Sequence, residues 1–199
     1  MFSTTKGMLS LAFAMLVDRH LVAYDDRVAA HWPEFAGGGK GNVTIRQLMA
    51  HTAGLCALPG PELSMLEFSR VGSRLMEDMV PLWEPGTKHG YHPWTLGTMI
   101  GELLTRIDPA HRTVGEFFAE EVAGPLGAEF HMGLSSTHAH RVSRMTLTDP
   151  LTQLFAVHKV PFVVPLYLQP SSLTCARAAP PPPLRCSLQQ FKPGRTKCY

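Results

Sequence analysis

Ser3 and Lys6 have the residue types and the spacing for nucleophilic catalysis, as the ends of a Ser-x-x-Lys tetrad. A serine hydroxyl is a poor nucleophile until a base takes its proton. On a helix, a lysine three residues further along lies on the same face, and apolar neighbours make an amine a better base. The apolar run from Met8 to Val17 supplies such neighbours. The tetrad alone also fits an N-cap serine beside an exposed lysine.

Tyr91 is the second candidate, in the segment 90–93, Gly-Tyr-His-Pro. It follows a Pro85-Gly86 turn and precedes an apolar helix pattern, so we expect a loop held by rigid neighbours, where functional groups are common. A phenol close to an ammonium group loses its proton more easily and can act as a general base. Taken alone, Tyr91 equally fits a packed aromatic residue with a bonded hydroxyl group.

Helices must position these residues, because strand patterns are scarce before residue 150. The first helix is predicted from about Thr4 to Leu21 and is apolar on nearly every face, which predicts burial on most of its faces. Capping boxes are predicted at Thr44 and Gln47 and at Thr113 and Glu116.

Further helices are predicted over residues 62–79, 94–106 and, after Thr113, up to about residue 123, where Pro125 and Gly127 should end the last one. The glycine-rich segment, residues 37–42 (Gly-Gly-Gly-Lys-Gly-Asn), is expected to be a flexible turn. It lacks the strand and helix that a phosphate-binding loop requires.

Charge divides the chain. All 16 acidic residues lie in positions 1–149, whereas residues 150–199 carry six basic residues and no acidic one. We therefore predict a domain over 1–149 and a basic, proline-rich tail over 150–199 that is disordered. Within the tail, Pro180 to Arg185 weakly fits a ligand for an SH3-type groove. The basic residues are too dispersed to predict nucleic-acid binding.

No cofactor or metal is predicted, because His89-x-x-His92 and His138-x-His140 lack a full ligand set. The four cysteines show neither a C-x-x-C pair nor zinc spacing and are expected to be reduced. The apolar N-terminal run is too short and too soon interrupted for a signal peptide or a membrane span. A cytoplasmic or organellar location is thus predicted over secretion.

Segment 2–7 before an apolar helix resembles the active-site motif of serine β-lactamase-related proteins, in particular the class C β-lactamase, esterase and penicillin-binding DD-peptidase group. Segments 44–55, 81–87, 91–97 and 123–127 resemble further motifs of that family in the same order. The resemblance extends to about residue 134. It implies an α/β fold of the β-lactamase/transpeptidase type.

The resemblance also implies roles. Ser3 would be the acylated nucleophile, Lys6 would assist its deprotonation, and Tyr91 would be the base that protonates the leaving group and activates water. Many relatives have Tyr-x-Asn where this chain has Tyr91 and Pro93, which argues against recognition of β-lactams. The third motif of the family is Lys-Thr-Gly or His-x-Gly on a late strand. No Lys-Thr-Gly follows Tyr91, and the segment 131–133, His-Met-Gly, matches His-x-Gly in residue type but has no strand pattern around it.

These observations predict that the chain is a truncated member of this family. It would contain mainly the helical part of the fold, with most of the antiparallel sheet missing. The expected function is a serine hydrolase that transfers the acyl group of a small ester or amide to Ser3, with activity impaired in this chain. The alternative is a non-catalytic pseudoenzyme or interaction protein that uses the helical surface or the proline-rich tail.

Overall fold

The computed structural model describes residues 2–56 and 65–143, which fall into two compact units, one up to residue 133 and one from 134 to 143. The α-helices are α1 (Thr5–Asp18), α2 (Val28–His31), α3 (Ile45–Met49), α4 (Met65–Asp78), α5 (Thr95–Ile107), α6 (Val114–Phe118) and α7 (Gly124–Leu126). Short 3-10 helices span Phe2–Thr4, Pro33–Gly39 and Ser136–Arg141, and a π-helical turn spans Ala119–Ala123.

The described residues contain no strand. One isolated antiparallel bridge joins Arg27 and Thr44. Residues 57–64 and 144–199 lie outside the described ranges. The predicted tail, the Pro180 to Arg185 motif and the predicted loss of most of the sheet therefore remain predictions.

Helix α1 holds the first candidate residues and packs against α5 and α6. Its buried side chains are Leu9, Ala12, Phe13 and Leu16, which share one face because they recur every three or four residues. Leu11 is 44% exposed, so in the described structure the helix is less enclosed than its apolar sequence predicts. Within the described ranges, no helix has the length and apolarity that a bilayer crossing requires.

Both predicted capping boxes are confirmed. The Thr44 amide donates to Gln47 Oε1 at 3.0 Å, and the Gln47 amide donates back to Thr44 Oγ1 at 3.3 Å. Thr113 and Glu116 exchange the same pair of bonds at 2.8 and 3.3 Å. Each box gives partners to backbone donors that a helix start otherwise leaves unpaired, and so fixes where α3 and α6 begin.

The sequence predicts that the helix beginning at Val114 ends at about residue 123, before Pro125. In the structure the helix instead continues through the π-helical turn into α7. Pro125 lies directly after the π-helical turn, in the first turn of α7. Gly127 ends the helix in the left-handed conformation, with φ of 59°.

The glycine-rich segment ends in a turn at residues 40–42, as the sequence predicts, but it is bonded to α4 and does not stand free. Lys40 is fully buried, and its Nζ donates to the carbonyl oxygens of Gly37 at 2.6 Å, of Glu77 at 2.9 Å and of Met79. A Cβ at Gly37 would lie 2.8 Å from Glu77 O, so only glycine allows this close approach. The segment is thus built onto the C-terminal end of α4, and Lys40 serves as its cap.

We expect Lys40→Met to lower the free energy of unfolding by about 2–4 kcal/mol, because it leaves buried carbonyl oxygens without donors. Burial lowers the pKa of Lys40 to about 8, against the opposing charges of Asp78 and Glu77. The amine is therefore mostly protonated at pH 7 and has three donor hydrogens. Urea unfolding at pH 7 measures the change. Exposed Lys88→Met is the control, and equal midpoints for the two variants would contradict the cap.

The sequence predicts that Cys56 is reduced, but the residue is buried and disulfide-bonded. Spacing along the chain does not reveal which cysteines meet in space, so the sequence could not indicate this bond.

Candidate active site

The structure brings together all three side chains that the sequence singles out. Tyr91 Oη donates to Ser3 Oγ at 2.6 Å, and Lys6 Nζ donates to the same oxygen at 3.3 Å. Lys6 Nζ also lies 5.3 Å from the centre of the Tyr91 ring. One hydroxyl oxygen is therefore in contact with a phenol and an amine at once.

Ser3 and Lys6 meet for a local reason. Ser3 lies in the 3-10 turn Phe2–Thr4, and Lys6 lies in the first turn of α1. The helical continuity of the two elements puts residues three apart on one face. It also places Ser3 at the N-terminal end of α1, which carries a partial positive charge.

Tyr91 reaches Ser3 from 88 residues away, because its loop is bound to the residues that follow α3. The Gly90 amide donates to His51 O, and the His92 amide donates to His51 Nδ1, both at 3.0 Å. The Leu55 amide donates to His92 Nε2 at 3.0 Å. These bonds hold the backbone on both sides of Tyr91 and leave the residue 45% exposed.

His92 is a buried structural residue with a defined tautomer. Its Nδ1 lies 2.5 Å from Gly90 O, which can only accept, so Nδ1 carries the hydrogen and Nε2 accepts from Leu55. Burial, together with the nearby His51 and His89, lowers the pKa of His92 to about 4, and the bond to Gly90 opposes that shift. His92 is therefore neutral at pH 7.

Trp83 supports the same loop from the other side. Its Nε1 donates to Thr52 O at 3.1 Å, and its ring lies so close to Gly90 that a Cβ there would overlap the ring. Gln47 adds a bond from Nε2 to Pro85 O at 3.3 Å. The segment 81–87 thus acts as a brace for the loop.

The surroundings favour ionisation of the phenol. The hydrogen bond with Ser3 lowers the pKa of Tyr91 most, and the hydrogen bond and charge of Lys6 lower it further, whereas partial burial opposes the shift. A tyrosine with a lowered pKa can accept a proton from a neighbouring hydroxyl. The arrangement can therefore activate Ser3 as a nucleophile.

His51 and His92 are the supporting residues that sequence reasoning missed. His51 lies in segment 44–55, which carries the family resemblance, but nothing in its spacing links it to Tyr91. The sequence presents His92 only as a possible metal ligand. Both of its nitrogens are occupied by backbone groups. Within the described ranges, no group of three or more His, Cys, Asp or Glu side chains is arranged to hold a metal ion.

The segment 131–133 lies beside α6, not on a strand. A Cβ at Gly115 would overlap Met132 O, so the two backbones are in close contact there. Met132 is partly buried against the core. This position gives the segment a packing role beside α6.

Comparison with known proteins gives consistent matches. The family model described as Beta-lactamase matches residues 1–164. Esterase/beta-lactamase LipL of Mycobacterium tuberculosis is 34% identical over 136 residues, which is 66% of this chain and 30% of that protein.

Solved structures agree. A penicillin-binding protein homolog from Caulobacter crescentus is 37% identical, with a TM-score of 0.70 over 75% of this chain and 40% of its own. A family VIII carboxylesterase is 38% identical, with a TM-score of 0.70 over 73% of this chain and 40% of its own. The chain thus spans less than half the length of these relatives.

Proposed function

The chain belongs to the Beta-lactamase family and has a β-lactamase/transpeptidase-like fold, and on that premise we propose that it acts as a serine hydrolase that takes an acyl group onto Ser3. The observation that carries the proposal is the 2.6 Å contact between Tyr91 Oη and Ser3 Oγ, with Lys6 Nζ 3.3 Å from the same oxygen. A nucleophile, a base and a cation that stabilises the base are the parts that acyl transfer requires.

In the first half-reaction, ionised Tyr91 accepts the hydroxyl proton of Ser3 as Oγ bonds to the carbonyl carbon of the substrate. The electron pair of the carbonyl moves to its oxygen, and the positive end of α1 favours that charge. The tetrahedral intermediate then collapses. The bond to the alkoxide or amine breaks, and Tyr91 returns the proton to the leaving group, which leaves an acyl ester on Ser3.

In the second half-reaction, water attacks the acyl carbon and gives its proton to Tyr91. The bond to Ser3 Oγ breaks, Tyr91 passes that proton to Oγ and is again ionised, and the carboxylic acid leaves. Throughout, the Lys6 amine is hydrogen-bonded near Ser3 Oγ and Tyr91 Oη. Its positive charge favours the ionised phenol and helps to keep Tyr91 in contact with Ser3.

We assign small esters as the preferred substrates. Two matched proteins are named an esterase/beta-lactamase and a carboxylesterase. Pro93 takes the position where many relatives have an asparagine, and proline has no side-chain amide to contact the amide of a lactam. An ester also has a better leaving group than an amide, so it needs less help from the protein.

Covalent labelling tests the proposal. We expect a fluorophosphonate to add once per chain and the adduct to lie on Ser3, in the tryptic peptide of residues 1–6, as read by tandem mass spectrometry. The heat-denatured chain, in which Tyr91 no longer contacts Ser3, should remain unlabelled. If the folded chain is equally unlabelled, the hydrolase proposal fails and the non-catalytic interaction protein is favoured.

A further inference from the structure

His51 contacts the loop on both sides of Tyr91 and has no part in the proposed reaction. Its carbonyl oxygen accepts from the Gly90 amide, and its Nδ1 accepts from the His92 amide, each at 3.0 Å. Its ring centre lies 5.0 Å from that of Tyr91 and 5.3 Å from that of His92. His51 thus contacts all three residues of the stretch 90–92.

The hydrogen bond defines the protonation state of His51. Because Nδ1 accepts an N–H, it carries no hydrogen, and the proton of the neutral ring is on Nε2. A protonated ring would direct a second N–H at the His92 amide. Partial burial lowers the pKa of His51, and the neighbouring His89 and Lys6 lower it further. His51 therefore remains an acceptor at neutral pH.

The backbone of His51 adopts a conformation that is unfavourable for most residues. Its φ is 59°, in the left-handed region that residues other than glycine rarely adopt. Histidine and asparagine are among the residues that tolerate this region best. The conformation directs both the carbonyl oxygen and Nδ1 of one residue at the Tyr91 loop.

We propose that His51 is a positioning residue that keeps the Tyr91 phenol at Ser3 by accepting the His92 amide hydrogen on Nδ1 and packing its ring against Tyr91. The inference rests on the proposed function only in that Tyr91 is taken as the base. Loss of the acceptor would leave a buried N–H unpaired, and the loop would relax to satisfy it. The phenol would then spend less time in contact with Ser3.

Two substitutions separate this role from simple packing, and neither strains the backbone. Asparagine tolerates positive φ and places Oδ1 one bond from Cγ, where Nδ1 lies in histidine, so His51→Asn keeps the acceptor. Glycine adopts positive φ freely, so His51→Gly removes both acceptor and ring. Thermal unfolding gives the folded fraction by which each rate is divided.

The rate of fluorophosphonate labelling at Ser3 is the first measurement. We expect His51→Gly to lower it about tenfold or more, and His51→Asn to recover most of that loss, since sub-ångström errors in a base are costly. When Tyr91 is already Phe, His51→Gly should add less than about twofold, because both changes act through one phenol. Two results would overturn the proposal. One is an equal loss of labelling rate in His51→Asn and His51→Gly; the other is a loss on His51→Gly that is as large in the Tyr91→Phe background as in the unmutated chain.

Tyrosine ionisation is the second measurement and needs no activity. The ultraviolet difference spectrum of each variant against its Tyr91→Phe counterpart reports Tyr91 alone. We expect the pKa of Tyr91 to stay below its usual value in the unmutated chain and in His51→Asn, and to rise towards about 10 in His51→Gly.

The two measurements distinguish two kinds of failure. If no variant is labelled but the pKa of Tyr91 shifts as expected, the positioning role holds and the hydrolase proposal fails. If the unmutated chain is labelled but His51→Gly changes neither the rate nor the pKa of Tyr91, the hydrolase proposal holds and the positioning role is wrong.

Discussion

Ser3→Ala is expected to lower acylation by about 10⁴-fold or more, because the Oγ that forms the acyl bond is then absent. The measurement is the burst of p-nitrophenol released from an activated ester in the first turnover. A burst equal to one acyl group per chain is expected from the unmutated protein and none from the variant. A full burst is expected where acylation is faster than deacylation, so slow deacylation does not obscure it.

The fold should be insensitive to this change. Ser3 is exposed and its hydroxyl contacts only Tyr91 and Lys6 among the hydrogen bonds described, so the unfolding free energy should shift by less than about 0.5 kcal/mol. Ser10→Ala, on the same helix, is the matched control and should keep the full burst. A burst that survives in Ser3→Ala would show that another group is acylated.

The local parts of this site could be predicted from sequence because their physics is local. Ser3 and Lys6 meet through helix geometry alone, and each capping box joins residues three apart. Tyr91 is different: spacing cannot bring together residues 88 positions apart, and only the order of several family motifs indicated that it belongs with Ser3.

The residues that support the fold and the Tyr91 loop could not be predicted, because each of them bonds to a backbone group far away in the sequence. Lys40 caps carbonyls 37 and 39 residues away, and His92 binds the amide of Leu55 across 37 residues. The glycines before Lys40 suggested flexibility, but they allow backbone-to-backbone contact with the end of α4. The sequence shows where glycines would allow a close backbone contact, but it does not show which distant segment makes that contact.

Tyr91→Phe is expected to lower the acylation rate by about 10²–10⁴-fold, the usual range for loss of a general base. The substitution removes only the oxygen that lies 2.6 Å from Ser3 Oγ and keeps the ring that packs against His51. Burst kinetics in the variant measure the loss. Tyr24→Phe is the control, because Tyr24 packs against Phe13, about two turns along α1 from Lys6, and should leave the rate nearly unchanged.

The pH profile makes this prediction specific to the phenol. The reactive form is the phenolate, so the rate should rise as pH increases through the pKa of Tyr91, which the Ser3 hydrogen bond and Lys6 hold below its usual value near 10. Below that pKa the phenol is protonated and the rate falls. Tyr91→Phe should lose this rise. If it instead kept both the rate and the profile while Ser3→Ala remained inactive, Lys6 would be the base, and the 2.6 Å contact would serve only to orient Ser3.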